Sequence, residues 1–272
     1  MISKEILVKE TNEFRPLAHT YQGFGGPWLE QVFYQEWIKF DKPLKRIYLP
    51  IFVTECWMNK VPSEKIQRWL NSLPKDLEYF TIIQHDDGVK AIQVELPPKT
   101  LIFGSSVGDI VVPLIMDDTL TNIHKKKKKL ISFCGTLSTH PIRKEINELM
   151  LKEMPKDYIY YFGSRWQRIM SRSVFSLCPR GYGPTSYRLY ESIFLESIPI
   201  YIWKDSCRVP YTDFLDWSKF SFILNAKEIN TIPSLVRDLS AEKIKSMQEE
   251  LKRVRIFFTK KWCSQWILKK MS

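Results

Sequence analysis

Between residues 130 and 224 short apolar runs alternate with stretches of helical spacing, and that rhythm restricts the fold more than any other feature. LISFCG, YIYYFG, VFSLCP, IPIYIW and FSFIL have the length and composition of buried strands. PIRKEINELMLKEM reads as a helix, with Ile142, Ile146, Leu149 and Met150 on one face and Pro141 in its first turn, and SRWQRIMSRS and SYRLYESIFLES read as two shorter helices. Strands joined through helices in this way predict a parallel sheet with crossover connections. A ligand of such a sheet lies beyond the carboxyl ends of the strands, which points to the loops CGTLSTH, GSR, PRGYGPTS and KDS.

The third of these loops concentrates charge and backbone freedom. Its glycines permit close approach to a ligand, Ser186 stands where it can cap the next helix, and the open N–H groups of that helix favour a phosphate. Arg180 and Arg188 add charge-assisted contacts. Glu191 follows Arg188 by three residues on the same helical face. It either accepts from a vicinal diol, as acidic residues do toward ribose in dinucleotide folds, or forms a plain surface pair with the arginine. The spacing is neither GxGxxG nor a Walker loop, which argues against ordinary dinucleotide and P-loop sites.

A chain of 272 residues, 44% hydrophobic and 14% aromatic, has enough apolar surface for one large or two small domains. HKKKKKL, from His124 to Leu130, breaks the composition after the polar stretch MDDTLTN, and a domain boundary is placed there with the lysines as a solvated linker face. Five scattered cysteines predict neither a disulfide framework nor a zinc site, and suit a reducing compartment. The opening MISKEILVKETNEF lacks the apolar core of a signal peptide and no window has the length of a membrane span, so the chain reads as soluble. A net charge of +11 leaves nucleic acid, an anionic membrane surface and a phosphorylated small molecule as partner classes. From Ser240 onward Ile244, Met247, Leu251, Val254 and Phe258 recur at three- or four-residue steps, predicting a helix capped by Ser240 whose lysines leave room for peripheral membrane contact.

CPRGYGPTSYRLYESIFLESIPIYIWKD, with FCGTLSTHPIR upstream and VPYTDFLDWSKFSFIL downstream, resembles the exostosin-type glycosyltransferase family over about residues 130 to 225. CPRG, the S-x-R-L-x-E core, Ile-Pro at the next strand and Asp-Trp-Ser stand in the family's order. FLES, at 194–197, departs from it where members usually have a small residue and glycine, at the far end of the helix from the loop. The resemblance implies an α/β fold of two Rossmann-like lobes facing across a cleft, the GT-B architecture in compact form. Residues 1–125 would be the acceptor-side lobe, 126–240 the donor lobe, and 241–272 helices returning to the first lobe. It further implies an enzyme that moves a sugar, with inversion, from a UDP-sugar (UDP-xylose among the donors) to a hydroxyl of an oligosaccharide or glycoprotein. Gly135, Thr136, Arg143, Arg180, Gly181, Ser186 and Arg188 would surround the nucleotide sugar, and Glu191 would meet the ribose. With no Asp-x-Asp motif in this lobe, no metal and no cofactor is expected, and arginines and a helix terminus would neutralise the leaving group.

Inversion in one displacement needs a base facing the acceptor hydroxyl. YFTIIQHDDGV is an apolar strand ending in His85, Asp86, Asp87 and Gly88, similar to the family's His-Asp pair. Asp86 is the first candidate, with Asp87 and His85 beside it, against the plain alternative that HDDG is only a turn. Glu55, read as a strand-end carboxylate in PIFVTECW, is a further cleft candidate. His124 and His140 read as linker and helix-cap residues, Asp117 and Asp118 as a solvated loop, and QGFGGPWLEQVFYQEW as a turn and amphipathic helix whose aromatics pack in a core or stack on sugar. A basic nucleic-acid binder and a non-catalytic carbohydrate-binding relative are the alternatives, but the placed charges lie at strand ends and no nucleic-acid motif appears. A monomer or dimer is expected, in a cytoplasm like that reached by the compact members encoded by large viruses, or in the Golgi if an anchor has been removed.

Overall fold

The computed structural model describes residues 2–17, 26–122 and 126–272, which form two α/β units. In chain order the first contains α1 (Lys4–Glu10), α2 (Leu29–Lys39), β1 (Ile47–Tyr48), α3 (Val53–Met58), α4 (Ser63–Ser72), β2 (Tyr79–Ile83), β3 (Leu101–Gly104) and β4 (Ile110–Val111). The second contains β5 (Lys129–Cys134), α5 (Pro141–Glu153), β6 (Tyr158–Tyr161), α6 (Trp166–Ser171), β7 (Ser173–Pro179), α7 (Tyr187–Phe194), β8 (Ile198–Trp203), β9 (Phe222–Asn225), α8 (Ile232–Arg237) and α9 (Ala241–Val254). The last helix, α10 (Lys260–Met271), belongs to the first unit.

In the first unit four strands run parallel in the order β1-β2-β3-β4. Every residue of β2 is buried, which explains why YFTII is a continuous apolar run rather than an alternating one. Trp28, Phe33 and Trp37 are core residues, and the Phe33 ring meets Tyr48 at 4.8 Å and Phe80 at 5.9 Å. The aromatics of α2 are therefore packing; Gly23 and Gly25 ahead of them lie outside the described residues. α10 buries Cys263, Ile267 and Leu268, Trp266 meets Phe103 edge to face at 6.2 Å, and the buried Lys260 donates to the Met116 carbonyl at 2.7 Å.

In the second unit five parallel strands run in the order β6-β5-β7-β8-β9. The chain moves from β5 outward to β6 and then returns to β7 on the opposite side, so the strand order reverses between β5 and β7. That reversal opens a crevice at the carboxyl ends of those two strands. His140 and Pro141 start α5 as the sequence suggests, the His140 imidazole accepting from the Ile142 N–H at 3.2 Å.

The fold class, α/β with two Rossmann-like lobes, is the one the sequence implies. The units divide between Met116 and Asp117, ahead of the lysine run rather than within it at 125/126. Lys127 explains part of the difference: it is largely buried and donates to the Ser171 and Glu196 carbonyls at 3.0 and 2.7 Å, so it is a tie inside the second unit and not solvated linker. His124 lies outside the described residues. The second division falls between Phe258 and Thr259 instead of at 240/241, because α9 buries Met247, Leu251 and Val254 and the Phe258 ring packs on Trp217 and Tyr190 at 5.4 and 5.8 Å. Ser240 caps α9 by accepting from the Lys243 N–H at 3.2 Å, but the tail tightens over Arg255–Phe258 and restarts as a separate helix. Among the described residues no helix is long and apolar enough to cross a membrane.

Candidate functional site

Three arginines converge on the crevice of the second unit. Arg143, from the first turn of α5, is buried and holds together the two strand ends that border the reversal: its Nε donates to the Arg180 carbonyl at 2.8 Å, Nη2 to Pro179 at 3.2 Å and Nη1 to Thr136 at 3.1 Å. A Cβ added at Gly181 would come within 3.2 Å of Nη2, and one at Gly135 within 3.5 Å of Nη1, so the guanidinium occupies a slot that larger residues would narrow. A guanidinium has five N–H donors; these bonds use three and leave one on each terminal nitrogen. Burial pulls the Arg143 pKa down to about 10, helped by the like charge of Arg188, which keeps the group cationic at neutral pH.

Arg180 begins the loop after β7. Its Nη2 donates to the Tyr182 carbonyl at 2.9 Å and its Nη1 is paired with Asp205, in the KDS loop after β8. Arg188, in the first turn of α7, donates from Nε to the Cys134 carbonyl at the end of β5 and stacks over the Trp166 ring at 4.1 Å. Its Nη1 is paired with Glu191, whose side chain is only 3% exposed, so the pair is not a surface one. Burial raises the Glu191 pKa against the lowering effect of Arg188. Only one Glu191 oxygen is engaged: Oε1 is buried and has no partner among the described residues, and neither has the buried Thr185 hydroxyl. A polar atom buried without a partner costs about 1 to 3 kcal/mol, and these two stand on one loop and the helix that follows it. Ser186 occupies the N-cap position of α7 with an extended backbone, yet its side chain makes no cap bond.

The Asp-Trp-Ser stretch is structural. Asp216 accepts from the Ser218 N–H and hydroxyl at 3.1 and 2.6 Å, and the Trp217 indole donates to the Pro210 carbonyl at 2.8 Å. Cys134 and Cys178 are buried, and burial pushes both thiols up to about 12, which leaves them unreactive.

In the first unit, HDDG stands at the carboxyl end of β2. Gln84 fixes the exit of the strand: its N–H donates to Glu30 Oε1 at 2.9 Å, its Oε1 accepts from the Leu29 N–H at 3.2 Å and its Nε2 donates to the Pro113 carbonyl at 2.7 Å. The turn closes with the Gly88 N–H on the His85 carbonyl at 3.1 Å, and Gly88 has a φ of +60°, where a side chain would also strike Val107. Asp86 is half-buried and one carboxylate oxygen accepts from the Ser106 hydroxyl at 2.5 Å, while Asp87 is exposed. The His85 Nδ1 accepts from the Asp87 N–H at 3.1 Å, and burial lowers its pKa against the pull of the two aspartates. A neutral imidazole with Nδ1 accepting carries its proton on Nε2. Glu55 is buried within α3 rather than at a strand end, one oxygen accepting from the Asn59 amide at 3.3 Å.

Sequence reasoning missed Glu30, Gln84, Ser106 and Asp205. Asp205 lay in a loop already singled out; Glu30 on a helix gives no signal, since a glutamate there ordinarily faces water. Among the described residues no group of three or more His, Cys, Asp or Glu is arranged to hold a metal ion.

Cations and buried polar atoms without partners are thus gathered at the reversal point of a parallel sheet, where the ligands of such sheets generally lie. Residues 84–239, more than half of the chain, match the Exostosin GT47 domain, and the chain belongs to that family. It is 31% identical over 108 residues to a probable glycosyltransferase of Arabidopsis thaliana, covering 38% of this chain and 23% of the relative. A probable glucuronoxylan glucuronosyltransferase of the same plant is 26% identical over 164 residues, covering 52% of this chain and 35% of the relative. A probable arabinosyltransferase, also from Arabidopsis thaliana, is 33% identical over 92 residues, covering 33% and 20%. The chain thus spans about a fifth to a third of the length of these relatives.

Proposed function

We propose that this chain is a glycosyltransferase that moves a sugar from a uridine diphosphate sugar to a hydroxyl of a glycan, with inversion and without a metal ion. The observation that carries the proposal is the half-satisfied Arg188–Glu191 pair at the sheet reversal: a buried carboxylate oxygen lacking a donor, next to cations with N–H groups to spare. Glu191 Oε1 would accept from a ribose hydroxyl. Arg180, Arg188 and the spare N–H groups of Arg143 would meet the diphosphate, beside the start of α7 with Ser186 and Thr185 and the open backbone at Gly135, Thr136 and Gly181. As the glycosidic bond breaks, charge accumulates on the diphosphate, and these fixed cations stabilise it as a metal would elsewhere. The names of the relatives, a glucuronosyltransferase and an arabinosyltransferase, support a hexuronate or a pentose as the transferred group; UDP-xylose is one donor of that kind.

In the first unit Asp86 is the favoured base. His85 is poorly suited, because its Nδ1 lone pair is taken by a backbone N–H and Nε2 carries a proton. Asp86 keeps a second oxygen without a partner among the described residues, and the Ser106 hydroxyl fixes its orientation. Asp87 is the alternative at the same turn. Removal of the acceptor proton by either carboxylate lets the hydroxyl oxygen attack the anomeric carbon from the face opposite the diphosphate.

The test is a thermal-shift panel of UDP, UDP-xylose, UDP-glucuronic acid, UDP-arabinose and UDP-N-acetylglucosamine, with ADP and GDP as controls. A ligand at about 100 times its dissociation constant stabilises by about 2.7 kcal/mol, so binding appears as a clear rise in melting temperature. A melting temperature indifferent to every uridine nucleotide defeats the proposal.

A further inference from the structure

A second concave feature lies in the first unit, next to the HDDG turn, and takes no part in the chemistry described above. It is a groove of about 530 Å³ lined by Trp57, Lys60 and Val61 from α3 and the chain that follows it, and by Ile92 and Gln93 from the turn after HDDG. Its volume is within the range of sites that hold a small molecule or a few sugar units. Trp57 is 51% exposed, although the four residues before it on α3, Val53 to Cys56, are all buried. Its ring stands edge to face with the His85 imidazole, centroids 4.8 Å apart, so the indole is oriented by a residue of the candidate catalytic turn.

The backbone supplies an independent observation. Lys60 and Gln93 both have φ of +53°, in the left-handed region that favours glycine. Each ends a helical turn: the Lys60 N–H donates to the Trp57 carbonyl at 3.3 Å and the Gln93 N–H to Lys90 at 3.1 Å. Glycine is the favoured residue at such positions, so both side chains are retained at a cost in stability. Both line this one groove, from two turns more than thirty residues apart in the chain. Neither side chain has a hydrogen-bonding or ionic partner among the described residues, and the same is true of the Trp57 indole N–H. Strain held at a concave surface, with idle donors beside an exposed aromatic face, is the pattern of a binding site rather than of a folding requirement.

We infer, building on the transferase function proposed above, that this groove is a carbohydrate subsite that holds a sugar unit of the acceptor glycan next to the one that reacts. The apolar C–H face of a pyranose would stack on Trp57, and the Lys60 ammonium, the Gln93 amide and the indole N–H would donate to its hydroxyls. The contact of Trp57 with His85 then makes glycan binding and the setting of the catalytic turn parts of one unit of structure. Trp57 is a specificity and positioning residue; the proton transfer stays with the turn.

The experiment uses xylohexaose, cellohexaose and a glucuronic-acid-substituted xylo-oligosaccharide as probes, followed by saturation-transfer NMR, with UDP affinity measured calorimetrically on the same preparations. At least one oligosaccharide binds the wild type; Trp57→Ala weakens it by about tenfold or more and Trp57→Phe by about threefold or less, since phenylalanine keeps a stacking face. Gln93→Gly raises the melting temperature and yet weakens the oligosaccharide, a combination that a purely structural turn would not give. UDP affinity stays unchanged in all three variants. If UDP binds but no oligosaccharide does, or if oligosaccharide affinity ignores both Trp57→Ala and Gln93→Gly, the subsite is refuted while the donor site stands. If oligosaccharide binding depends on Trp57 but UDP does not bind the wild type, the subsite stands and the transferase proposal fails.

Discussion

Glu30 is a buried carboxylate that ties three elements together, and its replacement by glutamine separates charge from shape. Its Oε1 accepts from the Gln84 N–H at 2.9 Å and the Thr54 hydroxyl at 3.0 Å, and its Oε2 from the Thr54 N–H at 3.2 Å. Burial, added to the like charge of Glu55, outweighs those bonds and raises the pKa from 4.5 to about 7. The folded state therefore binds a proton more tightly than the unfolded chain, so the folded protein is favoured most below pH 4.5 and loses stability as pH rises through 7. At about 1.4 kcal/mol per pH unit the whole loss is about 3 kcal/mol, most of which falls between pH 5 and 8. Glu30→Gln abolishes that slope and adds a pH-independent penalty of about 1 to 3 kcal/mol, because its amide N–H₂ faces the Thr54 N–H where an oxygen stood. Urea unfolding of both proteins at pH 5, 6, 7 and 8 gives the difference directly: the variant is the less stable at pH 5, and the gap closes or reverses by pH 8. A gap constant to within about 0.5 kcal/mol across that range would mean that Glu30 titrates normally and that its burial does not govern its charge.

Three further outcomes follow from the two sites. Arg180→Ala weakens UDP binding by about 1.5 to 3 kcal/mol by calorimetry with little loss of stability, since its partner Asp205 is 66% exposed; Arg188→Ala costs stability as well, because it strands the buried Glu191. Unchanged UDP affinity in both folded variants would remove the nucleotide from this crevice. Asp86→Asn leaves UDP affinity near wild type and lowers turnover by about 10² to 10⁴, and an effect below about tenfold in both it and Asp87→Asn would place the base elsewhere. Transfer survives EDTA; complete loss restored by a divalent ion would bring a metal into the mechanism.

The second unit was legible in the sequence because its strands are four to seven residues long and separated by helices with clear periodicity, and because its arginines sit next to predictable strand ends. Arg143, Arg180, Arg188 and Glu191 converge there as the motif implies, but the tie from Arg143 to two strand ends and the burial of Glu191 depend on side-chain packing that no spacing reports. The first unit was harder. β1 and β4 have two residues each, too few to carry a period, and PIFVTECW, apolar enough for a strand, forms α3. The turn at Asp86 was visible as charge after an apolar strand. Glu30 was not, because a carboxylate among helical aromatics reads as a solvent-facing residue until the partners on Thr54 and Gln84, far along the chain, come into place.

The position of α10 bears on how the molecule is made. The second unit is an uninterrupted stretch, Asp117–Phe258, whereas the first needs Thr259–Ser272 to cover its sheet. During synthesis, at about 5 to 20 residues per second, the usual order in which the earlier-made part folds first is therefore reversed: the later unit has all its residues before the earlier one does. While the ribosome makes the second unit, the first waits with the surface beneath Trp266 and Ile267 uncovered, for a time on the order of ten seconds. That interval is when the nascent chain is most open to aggregation, and when a chaperone that binds apolar surface has most to bind.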